Sequence, residues 1–504
     1  MKLKIISRKS TLARIQAQFV AQKISKLDST ISIEYILKET QGDIDLLTPL
    51  NQMPDVGVFT SDIKKELLKG NADIAIHSWK DLPVELEPGT EIIGTIERAD
   101  MRDMLFLKKT SRNNKIQNIY SSSPRREKNL NSFFQLALPT SNSKTNFINI
   151  RGNILTRFNK LQDSQVDGLV VAKAAIDRLI QDATPGFNGE KKELQKIIKK
   201  MLWMIIPLSV NPCAAAQGAL AIEAKSDNYK IKELIQKISN KSIFNSVQKE
   251  REILKSYGGG CHQKIGVSIE NNRLGEVRTI KGESEDSKEL NIRSFTPHLG
   301  RGNYFEGINK DSIYPKYNEK NTFFKRKTIT SVDDSIKKIR DEGIYVSRSN
   351  ALNNNITIED SNIVWTSGIE TWIKLAKAGN WINGSSDSLG EEECPEESPF
   401  KKVEWSKLSH NLNISSQKKI ISTYELLPLE IDPSISKRTH FFWMSSTSFK
   451  RAIELYPEIL NANHATGIGK SFDIIQSIIP QKVEPFLDYQ DWLNQVEANC
   501  PPSL

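Results

Sequence analysis

The sequence predicts an α/β protein of several domains, and three observations carry that expectation. The chain has 504 residues, more than one core usually organises, so two to four domains are expected. Short apolar runs with strand character alternate with stretches whose apolar residues recur at helical spacing. Five turns rich in arginine and lysine punctuate the first 180 residues, and four of them clearly follow a strand-like run. They read Ser7-Arg8-Lys9-Ser10, His77-Ser78-Trp79-Lys80-Asp81-Leu82-Pro83, Ser121-Ser122-Ser123-Pro124-Arg125-Arg126, Arg151-Gly152-Asn153-Ile154-Leu155-Thr156-Arg157 and Ala172-Lys173-Ala174-Ala175-Ile176-Asp177-Arg178. In an open α/β sheet such loops gather at one edge and build the ligand site. So many cations there imply a ligand with several carboxylates or phosphates.

Taken in order, residues 3–7 read as a strand, and Leu12, Ile15, Phe19, Val20, Ile24 and Leu27 as a helical stripe. Residues 31–37, 72–76, 92–96 and 104–107 read as strands, with a helix around 63–68. A second βα set has strands at 116–120, 147–150 and 168–171 and a charged helix over 190–200. Strands at 202–208 and 218–223 then suggest two lobes between which the chain crosses more than once. Residues 225–300 read as a small α+β domain and 300–325, polar and rich in Gly and Asn, as a linker. The remainder carries a weak repeat: strand, Ser-rich turn, helix, then a strand and a Gly turn opening a second helix.

Composition narrows the function. Hydrophobic residues make up 38%, enough for ordinary cores, and no run approaches the roughly 20 apolar residues of a membrane span. The chain opens on a strand-like segment with no signal-peptide core, so a cytoplasmic protein with no membrane partner is expected. A net charge of +9 is modest, and no basic stripe with interleaved aromatics points to nucleic acid. Cys213, Cys261, Cys394 and Cys500 are widely separated, which predicts neither a metal site nor a disulfide framework.

The candidate site residues follow from local chemistry. Ser10 stands where a strand meets a helix and can cap it, leaving free N–H groups for an anion beside Arg8. Arg125 and Arg126 stand in a first helical turn, where cations oppose the helix dipole unless an anion joins them. Arg151, Asn153 and Arg157 bracket a third turn. Asp81 is either a structural partner of Lys80 or a carboxylate that stabilises positive charge on a substrate and moves a proton. Cys261, after three glycines, is either an inert loop thiol or a covalent attachment point.

Together these segments resemble the porphobilinogen deaminase family over about residues 1–300. The match includes Arg8-Lys9-Ser10 with Gln16, Thr40-Gln41-Gly42-Asp43, the turn around Asp81, Ser122-Ser123-Pro124-Arg125-Arg126, Arg151-Gly152-Asn153 and Gly259-Gly260-Cys261. The resemblance implies two periplasmic-binding-protein-like lobes plus a small α+β domain. It places the lobes at 1–96 with 201–224 and at 97–200, and the small domain at 225–300. It also implies an enzyme that joins four porphobilinogens head to tail with release of ammonia. Cys261 would hold a dipyrromethane cofactor, with Lys80, Ser10, Ser122, Ser123, Arg125, Arg126 and Asp81 around it. Arg8, Gln16, Arg151, Asn153, Arg157, Arg178 and Phe59 would bind substrate, and Asp81, Arg8 and Arg151 would be catalytic. Three departures stand out: the loop before Phe59 lacks the family's lysines, Ala216 replaces a glycine usual before Gln217, and His262-Gln263-Lys264 after Cys261 replaces a less charged run.

After a linker at 301–325, residues 326–504 are similar to uroporphyrinogen-III synthases, implying a two-lobed α/β region. The similarity rests on Gly368, Thr371, Thr423-Tyr424-Glu425, Ser446-Thr447-Ser448 and Gly467-Ile468-Gly469-Lys470-Ser471, and makes Tyr424, Ser446 and Ser471 its candidate site. The expected partners are porphobilinogen and linear tetrapyrroles, acting on a monomer. Three rival readings stay open: a carboxylate-binding protein without chemistry, a deaminase with a degenerate C-terminal domain, and a nucleic-acid binder.

Overall fold

The computed structural model describes residues 1–40, 60–139, 144–181, 186–258, 263–317, 319, 323–391, 403–413, 418–480 and 482–500. They form two units. One is Met1–Gln135, Asn142–Ile269 and Thr279–Ile292; the other is Leu136–Ser141, Glu270–Arg278 and Arg293–Leu504.

The first unit begins β1 (Lys2–Arg8), α1 (Thr11–Leu27), β2 (Ser32–Lys38), α2 (Ser61–Leu68), β3 (Ile74–Ser78) and β4 (Thr90–Gly94). It continues β5 (Asp103–Lys108), β6 (Ile116–Tyr120), α3 (Pro124–Ala137), β7 (Lys144–Ile148), α4 (Ile154–Asp163) and β8 (Gly168–Ala172). Then come α5 (Lys173–Ile180), α6 (Asn188–Ile198), β9 (Met201–Ile206) and β10 (Leu220–Lys225). Alternation along β1 divides its apolar residues between two cores. Leu3 and Ile5 pack with Ala17, Val20 and Ile24 of α1, whereas Ile6 packs with Ile63, Leu67 and Ala75. A strand covered on both faces needs apolar residues on both.

Two five-stranded sheets result, ordered β2-β1-β3-β10-β4 and β7-β6-β8-β5-β9. Their plans match, each with one strand antiparallel to both neighbours: β10 between β3 and β4, β5 between β8 and β9. Those two strands are the chain's crossings between lobes. The boundary expected at residue 201 is corrected, because β9 pairs with β5 along its length and only β10 returns to the first sheet. β9 is buried throughout, so no alternation in its sequence could say which sheet it joins.

Within 225–300, α7 (Tyr229–Gln236) joins the core of the first sheet through Ile231 and Ile235. α8 (Lys241–Ser256) and a three-stranded sheet of β11 (Gly266–Asn271), β12 (Gly275–Glu283) and β13 (Glu289–Pro297) follow. The fully buried Glu250 of α8 receives both Arg98 guanidinium nitrogens at 2.8 Å, Ala216 N at 2.8 Å and Ile269 N at 2.9 Å. One carboxylate thus holds the crossing segment, α8 and the start of the small sheet.

The second unit contains β14 (Ile313–Tyr314), β15 (Phe324–Thr328), α9 (Asp333–Lys337), β16 (Gly343–Val346), β17 (Ile363–Thr366), α10 (Ile369–Lys377) and β18 (Gly384–Ser385). β19 (Trp405–His410), β20 (Lys419–Pro428), β21 (His440–Trp443), α11 (Ser446–Leu455), β22 (Asn463–Gly467), α12 (Lys470–Ile478), β23 (Val483–Phe486) and α13 (Tyr489–Asn499) complete it. A six-stranded sheet runs β15-β20-β19-β16-β17-β18 and a four-stranded sheet β14-β21-β22-β23. The expected strand–turn–helix repeat holds after β21. After β16 only a 3₁₀ turn forms at Ser349–Ala351. The linker expected at 301–325 is also corrected. Tyr304, Ile308 and Ile313 are buried with Phe442, Phe486 and Trp492, and β14 pairs parallel with β21. A few large apolar residues anchor this stretch, and its polar average hides them. Among the described residues, no helix is long and apolar enough to cross a membrane.

Ala216 adopts φ 71°, the left-handed region that favours glycine, in a fully buried turn. That conformation costs an L-residue about 1–2 kcal/mol. Ala216→Gly is therefore expected to raise stability by about 1 kcal/mol in urea titrations, with a thermal midpoint a few degrees higher. A lower midpoint would mean that packing of the Ala216 methyl in the Trp79 core outweighs the strain.

Candidate active site

Each lobe contributes strand ends. β1 ends on Arg8, and Ser10 occupies the N-cap of α1, but its side chain makes no capping bond there. β3 runs into a 3₁₀ turn at Trp79–Asp81. Trp79 anchors this turn. Its N–H donates to Ala219 O at 3.1 Å, and its indole is buried against Ala216, Ala219 and Val247, 5.2 Å from the Phe244 ring. Fixing the indole holds Lys80 and Asp81 toward the cavity beside it. Gln16 Nε2 donates to Ser78 Oγ at 2.9 Å, tying α1 to the same turn. The Asp81 carboxylate makes no hydrogen bond or ion pair among the described residues, which disfavours the purely structural reading of it.

The serine turn before α3 is a scaffold. Ser123 Oγ accepts from Arg126 N at 3.4 Å, a capping bond. Ser122 Oγ donates to Ile150 O at 2.6 Å and accepts from Ile150 N at 2.9 Å, which staples this turn to the one carrying Arg151. Neither serine lines the cavity. Arg125 is also drawn away from it, with its guanidinium on Asn211 Oδ1, Pro212 O and Asp103 Oδ2 at 2.6–2.8 Å. Arg126 does line the cavity, oriented by Asp103 at 2.7 and 3.0 Å and by Val170 O at 3.2 Å.

Asp103 is the residue that local sequence reasoning missed. Its buried carboxylate accepts from Arg125, Arg126, Asn211 and, at 2.9 Å, Gln217 Nε2. Burial pushes its carboxyl up, but Arg126 and Arg125 outweigh burial and hold it far below the usual carboxylate range. Gln217 passes this order on, since its Oε1 accepts from Lys80 Nζ at 3.1 Å. Burial lowers the Lys80 pKa, and Asp81 works against that shift.

The third cationic turn is set by Gly152, at φ 114°, and by Asn153, whose side chain caps α4 through Thr156 N at 2.8 Å. Arg157 Nε donates to Gly152 O at 2.8 Å. Burial lowers its pKa to about 10, and Arg126 and Arg151 add to the shift. Arg178 Nη2 donates to Gly218 O at 2.6 Å and is likewise lowered by burial to about 10. Gly218 itself is required, because a Cβ there would meet Ala99 O at 2.3 Å.

These groups enclose a cavity of about 540 Å³. Arg8, Lys80, Arg126, Arg151, Arg157 and Arg178 line it with Ser10, Gln16 and Asn153, and so do Asp81, Glu39 and Glu190. Lys9 and Glu39 pair at 3.1 Å, and Thr11 Oγ1 donates to Glu190 Oε1 at 2.8 Å. A chamber dominated by guanidinium forks recognises several carboxylates at once. Cys261 and Phe59 lie outside the described residues. Among the described residues no group of His, Cys, Asp and Glu could hold a metal ion. In the second unit, Ser446 N donates to Ser471 Oγ at 3.3 Å, so those two candidates meet, while Tyr424 is buried on β20.

A family model for porphobilinogen deaminase, dipyrromethane cofactor binding domain, matches residues 3–233. The porphobilinogen deaminase of Caldicellulosiruptor saccharolyticus is 36% identical over 272 residues, 53% of this chain and 83% of the relative. That of Prochlorococcus marinus (strain MIT 9312) is 34% identical over 287 residues, 56% and 85% of the two chains. That of Chlorobium phaeobacteroides is 34% identical over 302 residues, 56% and 88%. Among solved structures, a methionine-binding protein aligns over 49% of this chain and 94% of its own, at 13% identity and a TM-score of 0.28.

Asp103→Asn leaves Arg125 and Arg126 without their shared counter-charge, and we expect a loss of about 3–5 kcal/mol at neutral pH. The native carboxyl is depressed, so its contribution is full above the ordinary carboxylate pKa and fades as pH falls through it. Urea titrations should show the gap between the two proteins narrowing by roughly 1 kcal/mol for each pH unit below about 3.9. A gap that is small at pH 7 or insensitive to acid would contradict this role.

Proposed function

This chain belongs to the porphobilinogen deaminase family, and we propose that its cationic cavity joins four porphobilinogens head to tail with release of ammonia. One observation carries the reading. Arg8, Lys80, Arg151, Arg157 and Arg178 line the same cavity as a carboxylate, Asp81, that has no hydrogen-bond or ion-pair partner among the described residues.

The matched family domain binds dipyrromethane, whose two rings carry acetate and propionate arms. The donor set fits such a group: Arg126, Arg157, Lys80 and Ser10 line the cavity and offer only cationic or hydroxyl donors to carboxylates. Ser122, Ser123 and Arg125 support it from behind, through the staple to Ile150 and the pair with Asp103. Cys261 is the proposed attachment point. When bound, dipyrromethane supplies the primer end from which the chain is extended.

The remaining work falls to side chains of this protein. Arg8, Arg151 and Arg178, with Gln16 and Asn153, hold the carboxylate arms of the incoming porphobilinogen, so its reactive carbon is presented in one orientation. The Asp81 carboxylate accepts the pyrrole N–H and faces the positive charge that develops as ammonia leaves. Its position on the rigid Trp79 turn keeps that carboxylate in place before the reaction begins. The same oxygen can take the ring proton released at each coupling.

Residues 326–504 are read as the unit that closes the linear product to uroporphyrinogen III. The meeting of Ser446 and Ser471 at the starts of α11 and α12 supports this, since paired helix N-termini suit carboxylates. A neighbouring cyclase would capture a product that otherwise closes unaided to the I isomer.

Asp81→Asn should still bind porphobilinogen but turn over roughly 10³-fold more slowly in single-turnover assays. A near-normal rate would remove Asp81 from the chemistry. Intact-protein mass should show two linked pyrrole units on the wild type and none on Cys261→Ser. A wild type that stays unmodified after incubation with porphobilinogen would refute the tether.

A further inference from the structure

A second concentration of cations lies far from the deaminase cavity in sequence, at one edge of the six-stranded sheet. Strand register places it. Thr328 pairs with Tyr424 and Arg326 with Leu426 across β15 and β20, so Arg326 and Tyr424 share a face. His410 pairs with Tyr424 across β19 and β20, which puts the imidazole on that face too. Val346 pairs with Leu408, and Arg348 lies two residues beyond Val346 as His410 lies two beyond Leu408. Arg326, Arg348, His410 and Tyr424 therefore converge, and Arg348 and His410 follow the carboxyl ends of parallel strands, where α/β sheets bind ligands.

The cluster lacks its counter-charge. Neither arginine has an ion pair among the described residues. The acidic neighbour on β20, Glu425, alternates to the opposite face and stands 3.8 Å from Lys327. Lys407 is taken up by Glu391. The His410 ring stacks obliquely on Tyr424, with centroids 5.8 Å apart. Its Nδ1 is buried without a hydrogen-bond partner. Burial, with Lys407, Arg348 and Arg326 nearby, lowers that imidazole to about 4, so it is neutral at neutral pH and its unmet nitrogen is not relieved by ionisation. The loop bearing Arg348 is fixed in advance: Ser347 Oγ donates to Leu408 O, and Ser367 Oγ to Ser347 O, both at 2.8 Å. Two guanidinium forks and an unmet ring nitrogen, held facing the same space, form a receptor that lacks only its anion.

We propose that this edge binds a small molecule bearing at least two carboxylates, one on each of the Arg326 and Arg348 forks, with His410 Nδ1 hydrogen-bonded to one of them. The proposal rests on the reading of residues 326–504 as the recipient of the linear tetrapyrrole, whose acetate and propionate arms are of this class.

The test is arginine labelling of the full-length protein with phenylglyoxal, mapped by peptide mass. The probe is uroporphyrin I, a stable octacarboxylate. Uroporphyrin should slow labelling of Arg326 and Arg348 at least about tenfold, a protection worth about 1.4 kcal/mol of occupancy. Arg348→Gln should abolish protection at Arg326 while keeping the wild-type thermal transition, and Arg348→Lys should restore part of it. Equal labelling of both arginines with and without probe would overturn the proposal. Isomer analysis of the product made from porphobilinogen separates it from the reading beneath it. Protection with release of the I isomer keeps the site and rejects cyclisation. Formation of the III isomer without protection keeps cyclisation and rejects the site.

Discussion

A single buried carboxylate organises the deaminase half. Asp103 stands at the start of β5, the first strand to cross from one lobe into the other, and gathers Arg125 and Arg126 from α3, Asn211 from the returning chain and Gln217 from the second crossing. Each partner has a further task. Arg125 fixes the Asn211–Pro212 segment, Arg126 enters the cavity, and Gln217 positions Lys80. The ion pair is favourable only because every lone pair of the carboxylate is used; a half-satisfied version in the same dry location would destabilise the lobes it joins.

Much of this architecture could be read from the sequence, and the failures share a cause. The five cationic turns were legible because each lies beside a local pattern, a strand running into a helix. The cavity draws on all five. Asp103 was not legible: its partners lie 22, 23, 108 and 114 residues away, and nothing near it in sequence distinguishes it from a strand-end aspartate. The assignment of β9 failed for a related reason, since a fully buried strand carries no alternation to reveal its neighbours. Residues 301–325 misled through averaging, because Tyr304, Ile308 and Ile313 are diluted among glycine, asparagine and lysine. Ser122, Ser123 and Arg125, expected around the cofactor, instead serve the turns around the cavity and do not line it.

Ala216 shows how a departure in sequence becomes physical. A methyl group sits where the backbone takes a left-handed conformation, between the Glu250 carboxylate and the Trp79 indole. The turn that presents Asp81 is thus built next to a strained residue and held by neighbours that over-determine it. The strain is tolerated because Glu250 fixes the Ala216 amide while Trp79 and Val247 enclose its side chain.

The cavity's charge has a consequence for the length of what is made there. Arg8, Lys80, Arg126, Arg151, Arg157 and Arg178 line it, together with the carboxylates of Glu39, Asp81 and Glu190. The charge the protein supplies is fixed, whereas every porphobilinogen added brings an acetate and a propionate. Each ring that enters meets part of that positive field, so the attraction left for the next ring falls as the oligomer lengthens. Growth in such a site weakens its own electrostatic driving force, because the cations that orient the first rings are shared among more carboxylates with each addition.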